Sequence, residues 1–92
     1  MIYIRELLWN SWNIEHIAEH NVSPDEVEEV CYNNPFVTRA RNKTIKIIGQ
    51  TDAGRFLTIF LAPRGRGRYF VITARDATEA ERRRYRREKG GR

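Results

Sequence analysis

At Pro35 the chain changes texture, and that change constrains its fold more than any other feature. Before Pro35 apolar residues recur at helical spacing; after it, β-branched and aromatic residues come in short runs separated by turn chemistry, as successive antiparallel strands do. From Ser11 or Asn13 to His20, the positions of Ile14, Ile17 and Ala18 predict a first helix, and Asn21 suits the left-handed residue that follows a helix end. Ser23-Pro24-Asp25-Glu26 opens a second helix. Serine can cap, proline is tolerated at the first helical position, and the Glu26 carboxylate can reach back to the capping amide. Val27, Val30 and Cys31 form its apolar stripe, and Asn33-Asn34-Pro35 ends it. Ahead of both helices, Ile2, Ile4 and Leu7-Leu8-Trp9 suggest a strand or extended segment.

Beyond Pro35 four strands are expected, Phe36 to Arg39, Lys43 to Gln50, Arg55 to Ala62 and Arg68 to Arg75. Arg41-Asn42, Asp52-Ala53-Gly54 and Pro63-Arg64-Gly65-Arg66-Gly67 join them, and such short connections favour a meander. The expected class is therefore α+β: an antiparallel meander packed against N-terminal helices, with a basic C-terminal helix. Strand alternation assigns Leu57, Ile59 and Leu61, and then Phe70, Ile72 and Ala74, to an apolar face. The mixed face is expected to carry Arg55, Thr58 and Phe60, with Tyr69, Val71, Thr73 and Arg75. Thr78-Glu79-Ala80-Glu81 is a second capping box, opening a helix through about Glu88. That helix puts Arg82, Arg83, Arg84, Arg86 and Arg87 on one arc and Tyr85 and Glu81 on the other, so it should dock shallowly through Tyr85 with Glu81 available to a sheet arginine.

The charge follows the same division. Residues 1–38 carry one basic residue against seven acidic ones, residues 39–75 nine against one, and residues 76–92 seven against four. A segment as basic as the middle one concentrates anions, with nucleic acid the commonest candidate and acidic membrane or protein the next. At 92 residues the chain is expected to be a single domain, 1–92, with 88–92 a disordered tail. No run approaches the roughly 20 apolar residues of a membrane span, and the N-terminus lacks a signal peptide's basic and apolar regions, so no membrane partner and a cytoplasmic location are expected. The single cysteine, Cys31, excludes an internal disulfide and reads as core.

Few constellations carry chemistry. His16-Ile17-Ala18-Glu19-His20 has the H-x-x-E-H order of inverted zinc proteases, but no further histidine exists to complete a metal site. The expectation is a helix surface, with no metal and no cofactor. Arg64-Gly65-Arg66-Gly67-Arg68 leads into no helix, which excludes a Walker or Rossmann phosphate loop and leaves a basic hairpin tip, either phosphate-contacting or simply solvated. No serine or cysteine nucleophile lies beside a histidine. The positive signal is a set of cations with aromatics and hydroxyls among them: Lys43, Arg55, Tyr69, Thr73 and Arg75, joined by Arg82 or Tyr85. Arginine forks suit phosphate oxygens, and Tyr69 or Phe60 can stack on an unpaired base.

Val71-Ile72-Thr73-Ala74-Arg75-Asp76-Ala77-Thr78, followed by Glu81-Arg82-Arg83 and Tyr85, resembles the C-terminal motif of the BrnT family of type II toxins, ribonucleases of RelE-like fold. Trp9 with Trp12-Asn13, His20 with Val22, Glu26 to Val30, and Gly49 to Arg55 extend the resemblance over nearly the whole chain. It departs at Asn10, Glu19 and Asn21, where members commonly have aspartate, a basic residue and glycine. The resemblance implies a metal-independent endoribonuclease. In that reading Arg75 and Arg55 hold the scissile phosphate, Lys43 or His20 assists proton transfer, and Glu81 orients an arginine. Arg41, Arg64, Arg66, Tyr69, Thr73, Arg82 and Tyr85 contact RNA. A BrnA-like ribbon-helix-helix antitoxin would neutralise the toxin, and operator DNA would be met only through the antitoxin complex. A second reading keeps the fold without catalysis, the basic face binding RNA or an acidic antitoxin segment. A third, a DNA-binding module reading through its final helix, is disfavoured by that helix's small apolar face.

Overall fold

A computed structural model of the chain describes residues 2–90; Met1, Gly91 and Arg92 lie outside the described residues. In chain order the elements are β1 (Glu6–Leu8), α1 (Ser11–Ala18), α2 (Pro24–Cys31), β2 (Phe36–Arg39), β3 (Ile45–Gln50), β4 (Phe56–Pro63), β5 (Arg68–Asp76) and α3 (Glu79–Tyr85). A 3-10 turn, Arg41–Lys43, precedes β3, and a π-helical turn, Arg86–Gly90, continues α3. The tail expected from residue 88 is helical as far as Gly90, and the rest of it falls outside the described residues.

The five strands form one sheet in the order β1-β5-β4-β3-β2. β2 to β5 are the antiparallel meander expected, while β1 adds to β5 in parallel and makes the sheet mixed. Helices α1 and α2 cover one face, termed the back, where Leu7, Ile17, Val27, Val30, Ile47, Leu57, Ile59, Leu61, Val71 and Ala74 form the core. Each fully buried Ile or Leu there contributes about 2 kcal/mol. Gly49 lets α2 sit close: a Cβ at this position would stand 3.0 Å from Val30 Cγ1 and 3.2 Å from Pro35 Cβ.

Local chemistry sets the helix starts. Asn10, Ser23 and Thr78 each cap a helix in a reciprocal box, with Asn13, Glu26 and Glu81 reaching back. Asn13 has a second task. Fully buried, it donates from Nδ2 to the carbonyls of Leu8 (2.9 Å) and Val71 (3.0 Å), fixing α1 along β5 where β1 stops. Trp9 Nε1 donates to Glu28 at 2.9 Å and ties this corner to α2.

Two expectations of facing are corrected. Arg55 has the parity of Leu57, and its guanidinium reaches back-side groups at the α1–α2 turn, carbonyls of His20 and Asn21 and the Glu26 carboxylate. In β5 an extra residue at Ile72 shifts the register, since Phe60 pairs with Thr73 but Leu61 pairs with Val71. Alternation therefore reverses across the bulge. Ala74 faces the core as expected, but Val71 and Tyr69 face it too, and Phe70, opposite Ala62, is turned to the front.

Candidate functional site

The front face of the sheet is covered over only part of its area, by α3. The helix docks with little apolar surface. Tyr85 meets Phe56 edge-on at 5.4 Å, and the guanidiniums of Arg82 and Arg86 lie over Phe56 at 5.9 and 5.3 Å, while that of Arg84 lies over Phe36 at 5.1 Å. The shallow docking through Tyr85 is as expected, but three arginines assigned to the outer arc fold back onto the sheet. Cation–π contacts replace the missing apolar stripe.

At the edge of this helix lies the best-defined charged cluster. Glu81 enters from α3 with its carboxylate between two cations: Arg75 of β5 donates from Nη1 and Nη2 at 2.9 and 3.0 Å, and Lys46 of β3 stands at 3.0 Å. Thr58 Oγ1 donates at 2.7 Å and the Thr78 amide at 2.9 Å. Burial, the largest single influence, pushes this carboxyl pKa up, but the hydrogen bonds from Arg75, Thr78, Thr58 and Lys46 together outweigh it and hold it well below the carboxylate range. Hydrogen bonding to Glu81, against a smaller opposing effect of burial, raises the Arg75 pKa. One anion against two cations leaves the cluster net positive.

Phe60 is the floor beside it. Arg75 Cζ lies 5.7 Å and Lys46 Nζ 6.0 Å from its ring centre. Next to Phe60 a shallow depression of about 490 Å³ is lined by Arg41, Asn42, Thr44, Ile72 and Thr73. Cations, an aromatic floor and hydroxyls on one open surface can accept a phosphate with its attached base.

The structure thus brings together Arg75, Glu81, Thr73 and Arg41 of the residues singled out from sequence. Tyr85 and Arg82 border them and hold α3 down. Lys43 is exposed in the 3-10 turn after β2, and Arg64 and Arg66 occupy the β4–β5 hairpin tip. Tyr69 packs against the core on the back face. Arg55 is a brace: Nε donates to Asp76 at 2.8 Å and Nη1 to Glu26 at 3.0 Å and the Asn21 carbonyl at 2.7 Å. The exposed His20 ring meets His16 edge-on, and no group of three or more metal-binding side chains assembles among the described residues. Lys46 was not singled out from sequence. Its signal was a lone charge between Ile45 and Ile47, with the parity that faces away from a core.

A crystal structure with this architecture is that of the Brucella abortus ribonuclease toxin BrnT, which superposes with a TM-score of 0.66 at 19% identity over 80% of this chain and 97% of that one. The chain has the BrnT fold. At the level of the fold, the expected likeness to BrnT is thus borne out. No family model matches the sequence. No curated protein matches it either. No helix among the described residues is long and apolar enough to cross a membrane.

Proposed function

We propose that the chain is the toxin of a type II toxin–antitoxin pair, a metal-independent endoribonuclease acting in the cytoplasm. A ribbon-helix-helix antitoxin holds it inactive and carries the pair to operator DNA. The observation that carries this reading is the Lys46–Glu81–Arg75 cluster beside Phe60 on an open sheet face of BrnT fold.

The chemistry needs little more. The RNA 2′-oxygen attacks the adjacent phosphorus and the 5′-oxygen leaves, giving a 2′,3′-cyclic phosphate and a 5′-hydroxyl. The 2′ proton passes to solvent, and the Lys46 ammonium gives one to the departing oxygen. Arg75 and Lys46 stabilise the charge that builds on the phosphorane. Glu81 holds both cations in place, Thr73 and Arg41 position the backbone, and Phe60 offers its ring to a base.

The test is incubation of purified protein with single-stranded RNA in EDTA. Wild type should cleave, and Lys46→Ala, compared per folded molecule at low temperature, should lose about 100-fold in rate. Equal rates would reject the assignment. A second reading, binding without cleavage, draws on one observation: Arg75 and Lys46 share a single carboxylate, which offsets part of their charge. RNA held with steep salt dependence yet left intact at high protein concentration would establish it instead.

A further inference from the structure

A row of aromatic rings runs along the margin between α1 and the front face, apart from the charged cluster. Trp12, in the first turn of α1, lies parallel to His16 with ring centres 5.1 Å apart and planes 6° from parallel. It also stacks on Phe70 of β5, at 6.1 Å and 23°. His16 meets His20 edge-on at 5.9 Å, and at the other end Arg64 lays its guanidinium 5.3 Å from the Phe70 centre. The row exists because the bulge at Ile72 turns Phe70 out of the core and toward Trp12.

Phe70 and His16 are partly buried, whereas Trp12 keeps 55% of its surface exposed, although tryptophan is highly buried on average. The two ends differ in charge. Glu15 and Glu19 precede His16 of α1 and His20 just beyond it, whereas Arg64, Arg66 and Arg68 of the β4–β5 hairpin have no acidic partner in an ion pair among the described residues. Open aromatic surface beside unpaired arginines is the chemistry of a strand with its bases unstacked: rings take the bases and arginines the phosphates.

We propose that Trp12 and Phe70 form a base-stacking subsite for single-stranded RNA, with its phosphates on the Arg64–Arg68 hairpin. This rests on the RNA-directed reading above and extends it to a second contact region. Because every base has a π-face, the subsite is tolerant of sequence, and because duplex bases are already stacked, it rejects double strands.

The experiment measures binding of a ten-nucleotide oligoadenylate and of an abasic oligonucleotide of equal length. Trp12→Ala should weaken oligoadenylate binding about 5- to 100-fold, Trp12→Phe should retain most of the affinity, and Phe70→Ala should weaken it like Trp12→Ala. The abasic strand should bind wild type and Trp12→Ala alike. An exposed position makes a folding failure of Trp12→Ala easy to exclude by melting temperature. Undiminished oligoadenylate binding by Trp12→Ala, with cleavage still slowed about 100-fold by Lys46→Ala, overturns the subsite and leaves the nuclease reading standing. The subsite is equally overturned if Trp12→Ala binds RNA normally but no longer binds the antitoxin, since the rings then serve a protein. Wild-type protein that neither binds nor cleaves the oligonucleotide overturns both.

Discussion

Arg75 and Glu81 meet fork to fork, Nη1 on Oε1 at 2.9 Å and Nη2 on Oε2 at 3.0 Å. The pair joins the last strand to the last helix, and Thr58 and Lys46 close the remaining sides of the carboxylate. Sheet and helix are therefore held together at the centre of the proposed site by a carboxylate that also accepts the Thr78 amide at the start of the helix.

Acid should expose this dependence. The Glu81 pKa is held below its ordinary 4.5 in the fold, so its stabilising contribution is fully present above that pH and is lost as pH falls through and below it. In urea titrations from pH 7 to pH 3, Glu81→Gln should be less stable than wild type at neutrality by about 2–4 kcal/mol. The gap should narrow below pH 4.5. A gap that stays constant with pH would mean that the charge of Glu81 contributes nothing.

Arg55 should matter for stability and not for turnover. Arg55→Ala removes bonds to Asp76, Glu26 and the Asn21 carbonyl and should cost about 2–3 kcal/mol, a fall in melting temperature of roughly 8–20 °C. Calorimetry checks the first part. RNA cleavage per folded molecule at low temperature checks the second, and a rate loss there beyond tenfold would return Arg55 to a direct role.

The Cys31 thiol should be silent in the native state. Burial, with a smaller effect of Glu28, pushes its pKa up to about 12, and only the thiolate reacts. A chromogenic disulfide reagent at pH 8 should modify it no faster than the protein unfolds; rapid modification without denaturant would contradict its packing in the core.

Deleting Ile72 should leave the rest of the register in place. The deletion makes Val71 and Thr73 adjacent, as their partners Leu61 and Phe60 already are, so ordinary alternation keeps Val71 and Tyr69 on the back and Thr73 and Arg75 on the front. By denaturant titration the cost should be about 2 kcal/mol or less, close to that of Ile72→Ala. A loss beyond the roughly 2–5 kcal/mol of truncating a core residue would show that the bulge itself holds β5 in register.

What could be read ahead of the structure was what depends on near neighbours. Ser23 with Glu26 and Thr78 with Glu81 lie three residues apart, so their boxes are visible in sequence; Asn10 with Asn13 makes the same box from an unusual pair and was missed. The meander was visible because each turn is short. The parallel docking of β1 was not, since a three-residue strand carries almost no periodicity and its partner lies about sixty residues away. One inserted residue was enough to misplace Tyr69 and Phe70, because period-two reasoning carries an error along the rest of the strand. Of the site, Arg75 and Glu81 were legible through their motif; Lys46 was not, because only the register across β3 and β4 puts it opposite Phe60.

The close approach at Gly49 has a bearing on where function can reside. With Val30 and Pro35 within a methyl group's width of β3, the rear of the molecule is a wall already at its minimum thickness. It has no slack with which to open a cleft. A molecule of this size that cannot part its layers works as an anvil rather than as a jaw, and the proposed RNA substrate would be handled on its outer surface.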